Sequence, residues 1–143
     1  MIHIHIPAVP VAQPRQRHAV VGGSVRSYMP NTHPIAAFKA SVRLAASQAY
    51  SGPPLAGPVF VSLVFVFPRP KGMVWKKRPM LREFKAGKPD LDNLAKAVLD
   101  SLNGLLWIDD SQVVDLRVRK YVAAGDEAAH VEMDVEEPME DAR

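Results

Sequence analysis

The chain has 143 residues, 48% of them hydrophobic, enough for one domain that buries about two-thirds of its unfolded surface around a single core. It contains no cysteine, which excludes a disulfide framework, a thiolate metal site and a thiol nucleophile, and which fits a reducing compartment. The net charge of +3 is unevenly spread: residues 126–143 hold eight acids and one base, whereas residues 1–125 hold 17 bases and 7 acids, a net of +10 that suits a polyanionic partner.

The N-terminal MIHIHI alternates apolar and polar residues and predicts a strand. It lacks the basic start and long apolar segment of a leader, and no apolar run reaches the roughly 18 residues of a membrane span, so a soluble, cytoplasmic protein is expected. PAVPVAQPRQR, with three prolines, predicts an extended, irregular segment. HAVVGGSVRSYM predicts two short strands about a Gly22-Gly23 turn. Asn31 or Thr32 is the expected cap of a first helix. Pro34 lies near its first turn, and Ile35, Phe38, Val42, Ala45, Ala46 and Ala49 form its apolar stripe. The run PVFVSLVFVF predicts a central strand buried on both faces.

Residues 68–88 read as a long loop. Its bases are Arg69, Lys71, Lys76, Lys77, Arg78, Arg82, Lys85 and Lys88, opposed by Glu83 and interleaved with Trp75 and Phe84. Such a segment suits a nucleic-acid backbone, although a solvated loop can be equally charged. A second helix over 91–102, stopped by Asn103-Gly104, precedes strands at 112–122 and 129–135 and a frayed tail. The expected architecture is a single α/β or α+β domain over residues 1–137, with one mixed sheet and two main helices, followed by a disordered acidic tail at 138–143.

Acids concentrate in KPDLDNLAKAVLDSLNGLLWIDDSQVV, within the otherwise basic body. Asp90 falls at the helix N-cap and Asp92 in the first turn, where aspartate is also favoured for structural reasons. Lys96 and Asp100 continue the Asp92 face at one-turn intervals. Asp109 and Asp110 lie in extended chain, so only one of them can share a centre with Asp90 and Asp92. Two carboxylates at about 4 Å repel by about 4 kcal/mol at an effective dielectric of about 20, and three would need a cation between them. All-oxygen ligation suits Mg²⁺ or Mn²⁺. An EF-hand is excluded, because the sixth and twelfth positions from Asp90 are Ala95 and Ser101. His3 and His5 share a strand face, for which alternation is the simpler account, and His18, His33 and His130 have no assignable partner.

The stretch KPDLDNLAKAVLDSLNGLLWIDDSQVVDLRVRK resembles the signature region of the RusA family of Holliday junction resolvases, endodeoxyribonucleases of bacteria and their phages. PRQR and RSYMPNTHPIAAFKASVRLAA are similar to that family's N-terminal region. The resemblance implies a mixed α/β homodimer that makes paired, Mg²⁺- or Mn²⁺-dependent cuts in four-way junction DNA for recombination and repair. By position it implies metal ligands at Asp90, Asp92 and Asp110 and an essential Lys96. Arg15, Arg17, Arg69, Lys71, Lys76, Lys77, Arg78, Lys85 and Lys88 are the bases expected to hold DNA. The alternatives are a non-catalytic DNA-binding module and a metal nuclease for other branched DNA.

Overall fold

The computed structural model describes residues 1–14, 17–21, 24–28, 33–74 and 80–139, the strands within 17–28 by their backbone alone. In chain order the elements are β1 (Ile2–Ile6), β2 (Arg17–Val21), β3 (Ser24–Tyr28), α1 (Ile35–Ala49), β4 (Val59–Phe67), β5 (Glu83–Phe84), α2 (Leu91–Ser101), β6 (Val113–Val122) and β7 (His130–Glu136). β2 and β3 pair antiparallel as a separate hairpin, and the other five strands form one mixed sheet in the order β1-β7-β4-β6-β5. This is the single α+β domain with two helices that the pattern of elements predicts.

β4 is central because its apolar, β-branched sequence can be buried along its length. It pairs antiparallel with β7 and parallel with β6. A parallel pair needs a crossover rather than a hairpin, and here the crossover is the basic loop followed by α2. The acidic helix is therefore delivered by topology to the start of β6. Alternate β4 side chains, Val59, Val61, Leu63, Phe65 and Phe67, meet Phe38 and Val42 of α1 and Leu94 and Val98 of α2 in one core. Both helices contribute to that one face. Consequently Phe60 is exposed and Ser62 and Val64 are half-buried, and two-sided burial of β4 holds only toward its end, where Val66 is also buried.

The ends of the helices differ in part from expectation. Pro34 occupies the N-cap position of α1, and the His33 ring Nδ1 accepts a hydrogen bond from the Ile35 N–H at 3.1 Å, so His33 has a capping role. Asn31 and Thr32, the expected caps, lie outside the described residues, as do the turn glycines Gly22 and Gly23. α2 stops one residue earlier than predicted and the chain reverses through Gly104, whose φ of 80° favours glycine. The loop after β4 is less irregular than predicted: it contains a 3₁₀ turn at Lys71–Met73 and β5, which pairs with the end of β6. Among the described residues no helix is long and apolar enough to cross a membrane.

Candidate active site

α2 buries Leu94, Ala95, Ala97, Val98 and Ser101 and leaves Asp92 and Lys96 exposed and Asp100 half-buried. Asp90 sits at the N-cap with extended backbone (φ −72°, ψ 146°), and its carbonyl accepts the first helical hydrogen bond from the Leu94 N–H at 3.1 Å. Its carboxylate makes no capping bond. The structural reason for an aspartate at this position is thus not used, and the side chain stands exposed at the positive end of the helix.

The two adjacent aspartates are separated by their hydrogen bonds. Asp109 caps the 3₁₀ turn Asp110–Gln112 by accepting from the Ser111 N–H at 3.0 Å, while Gln112 Oε1 accepts from the N–H groups of Ile108 and Asp109. Bonds from the Ser111 side chain and backbone hold the Asp109 carboxyl below its usual range. Gln112 also donates to the carbonyls of Leu55 and Gly57, both at 2.8 Å, and so anchors the turn to the segment before β4. Asp110 faces α2. A hydrogen bond with Asp100 is the main cause that raises its carboxyl above the ordinary carboxylate range, with burial and the charges of Asp100 and Asp109 adding to it and Asn103 opposing it. Asn103 is itself fixed by the buried Trp107, whose Nε1 donates to its Oδ1 at 2.9 Å.

Asp110 therefore meets Asp100, at the C-terminal end of α2, whereas Asp90 and Asp92 lie at the N-terminal end. Asp92 and Asp100 are eight residues apart on the helix, which is about 12 Å along its axis. Within one chain the three predicted ligands are not gathered around a point. Among the described residues, the three-membered group whose ligand atoms lie within 4.8 Å of one another is a different one, Glu127, His130 and Glu132. That group already surrounds a cation. Arg82 donates to Glu127 at 2.6 Å and to Glu132 at 2.6 Å, and His130 Nε2 lies 2.6 Å from Glu132. The bond from Arg82 leads the causes that lower the Glu127 carboxyl; burial works to raise Glu132, but bonds from His130 and Arg82 outweigh it.

The bases expected to hold DNA divide into two kinds. Arg69 is a fastener: its side chain is only 4% exposed and donates to the carbonyls of Met73, Leu81 and Ala123 and to Glu83. A guanidinium committed in this way reaches a phosphate only by giving up those bonds. Lys71 and Lys88 are exposed, and Lys85 is half-buried with its ammonium over the Phe67 ring. Arg15, Lys76, Lys77 and Arg78 lie outside the described residues, and Arg17 is described only as backbone in β2. Phe84 is 74% exposed and stacks on Tyr121, with ring centroids 4.9 Å apart.

The comparisons place this arrangement in a family. The family model "Endodeoxyribonuclease RusA" matches residues 7–136. The chain belongs to the RusA family. A relative in Bacillus subtilis (strain 168), "Uncharacterized protein YqaN", is 38% identical over 117 residues, covering 78% of this chain and 81% of the relative. RusA membership supports an endodeoxyribonuclease activity for the chain. Sequence reasoning overlooked two residues whose side chains bind the backbone of distant segments beside the α2 acids, Gln112 and Lys120. The Asp-x-x-Gln spacing of 109–112 is a legible capping signature, whereas nothing local to Lys120 reveals that its partners lie 31 and 33 residues earlier.

Proposed function

We propose that the chain is a divalent-metal-dependent, structure-selective endodeoxyribonuclease that resolves four-way DNA junctions by paired phosphodiester cleavage. What carries the reading is a set of acids at α2 in a RusA-family chain that forms no ion pair among the described residues: Asp90, whose carboxylate makes no capping bond, Asp92, which is exposed, and Asp110, which faces Asp100. The donors are all oxygen and hard, which fits Mg²⁺ or Mn²⁺. Asp90, Asp92 and Asp110 are the residues that hold the metal. When bound, the ion supplies Lewis acidity at the scissile phosphate and lowers the pKa of an attacking water. Lys96, on the same exposed helix face as Asp92, stabilises the charge that develops on the phosphate. Lys71, Lys85, Lys88 and the bases at Arg15, Arg17, Lys76, Lys77 and Arg78 supply sequence-independent contacts to the DNA backbone.

The distance along α2 supports a centre built from two chains. In a twofold homodimer, the N-terminal end of one α2 meets the C-terminal end of the other, and Asp90 and Asp92 of one chain complete a site with Asp110 of its partner. Two such centres act on symmetric strands of one junction.

The test is cleavage of a synthetic four-way junction with Mg²⁺, with Mn²⁺ and with EDTA. Paired nicks with either ion and none in EDTA are expected. Binding without cleavage in all three conditions assigns the chain to non-catalytic DNA binding. Cleavage of flaps with the junction left intact assigns it to another branched substrate.

A further inference from the structure

We propose that Lys120 is a positioning residue for the metal-binding loop: its ammonium, carried on β6, clamps the backbone carbonyls of Gly87 and Pro89 and thereby sets where the Asp90 carboxylate stands. This deepens the nuclease reading and rests on Asp90 being a ligand. Lys120 pairs in register with Phe65, a core residue, so its side chain rises from the face of the sheet that carries α2. Its Nζ donates to the Pro89 carbonyl at 2.7 Å and to the Gly87 carbonyl. The Lys120 carbonyl accepts from the Lys85 N–H at 3.1 Å, so one residue holds the incoming segment at 85, 87 and 89. Pro89 contributes the carbonyl of the peptide unit that continues into Asp90.

Gly87 has no side chain, and a Cβ built there meets nothing within 4 Å, so packing does not fix its backbone. An ammonium has three N–H donors, and two of them are spent on these carbonyls, which is the use of a lysine as a bracket rather than as a solvated surface charge.

Two roles for this lysine predict opposite signs. A fixed positive charge beside a divalent site repels the ion, so if Lys120 acted only through its charge, removing it would tighten metal binding. If it positions the loop, removing it weakens metal binding. Residues that orient metal ligands from behind typically contribute about 10- to 100-fold to affinity.

The experiment uses the full chain. Because it has no cysteine, Lys120→Cys can be alkylated at that one position, with 2-bromoethylamine to restore an ammonium or with iodoacetamide to leave a neutral group. Mn²⁺ affinity is measured by titration, loop mobility by amide hydrogen exchange over residues 86–92, and cleavage by its Mg²⁺ midpoint. Lys120→Met and the iodoacetamide adduct are expected to bind Mn²⁺ at least ~10-fold more weakly, with faster exchange in the loop and junction binding retained in EDTA. The aminoethyl adduct is expected to restore both readouts. Should Lys120→Met not fold, the two adducts, which differ in the ammonium, carry the comparison. Equal or tighter Mn²⁺ binding together with unchanged exchange overturns the clamp. An unmodified protein that shows no metal-dependent cleavage overturns the nuclease reading instead, and the two failures are separable.

Discussion

Two acidic clusters on this molecule meet different fates. Glu127 and Glu132 are close together, lie beside His130, and are both paired with Arg82, whose guanidinium they hold more firmly protonated. The acids of α2 are spread over two helical turns and form no ion pair among the described residues; Asp110 meets another carboxylate, and its affinity for a proton rises. Proximity of ligand atoms alone would choose the first cluster as the metal centre. Charge balance favours the second, as proposed, because a fold that closes an ion pair with its own arginine has already supplied a cation, while one that sets carboxylate against carboxylate has not.

The comparison breaks most sharply at Asp92. Asp92→Asn is expected to lower junction cleavage by at least ~10²-fold with binding retained, the scale of losing one electrostatic contributor to a reacting centre. Glu127→Gln should leave the metal dependence of cleavage unchanged. If Glu127→Gln abolishes the Mg²⁺ response and Asp92→Asn does not, the assignment of the two clusters is reversed.

Mixing sharpens the same contrast. Asp92→Asn and Asp110→Asn chains, each inactive alone, are expected to regain nicking when co-refolded. In a mixed dimer one centre collects both substitutions and the other collects none. Single nicks rather than paired cuts are the expected product. No recovery, with dimers confirmed by mass, places all three ligands in one chain.

The first cluster should reveal itself in stability. Arg82→Ala removes bonds to two carboxylates and is expected to cost about 1–2 kcal/mol at neutral pH, discounted for partial exposure. Glu127 and Glu132 have lowered carboxyl values in the fold, so the stability they contribute is present above the ordinary glutamate range and is lost as pH falls through the lowered values. The gap between the wild-type and Arg82→Ala melting temperatures should therefore close in acid. A gap that stays constant from neutral pH down to the acid unfolding of the protein would falsify the ion-pair account of this network.

Local pattern and long-range contact divided the legible from the hidden. The helix at α2 could be read because Leu94, Val98 and Ala95 repeat at helical spacing and Asn103-Gly104 punctuate its end. The central position of β4 followed from its apolar run, while its one-sided cover did not, since hydrophobicity does not say on which face two helices will pack. At the site, the sequence places Asp90, Asp92 and Lys96 near one another because they share one turn or two of chain. It cannot show that Asp110 arrives at the far end of α2 beside Asp100, because that distance is set by the Gly104 turn and by Gln112 reaching Leu55 and Gly57. The basic loop was legible as charge alone. Which arginines are fasteners, Arg69 and Arg82, and which bases remain exposed depends on carbonyls and glutamates donated by distant strands.

The smallest effect has the most informative sign. Asp100 raises the Asp110 carboxyl, so ionising both costs stability as pH rises through that raised value, and the cost is absent below it. Asp100→Asn removes the like charge and places an amide donor beside Asp110. In EDTA at neutral pH it is expected to stabilise the protein by a few tenths to about 1 kcal/mol, the range for partly exposed charge pairs. Well below the ordinary carboxylate range, where Asp110 is protonated in either protein, the gain should vanish, and paired thermal melts at neutral and strongly acid pH measure it. The gain is the opposite of what Arg82→Ala gives, and the opposition follows from one rule: acids already matched with a base lose stability when the match is removed, and acids kept unmatched gain it. Destabilisation by Asp100→Asn in EDTA would mean that the Asp100–Asp110 contact is itself a structural bond, and the α2 acids would then have lost their distinction from the network at Arg82.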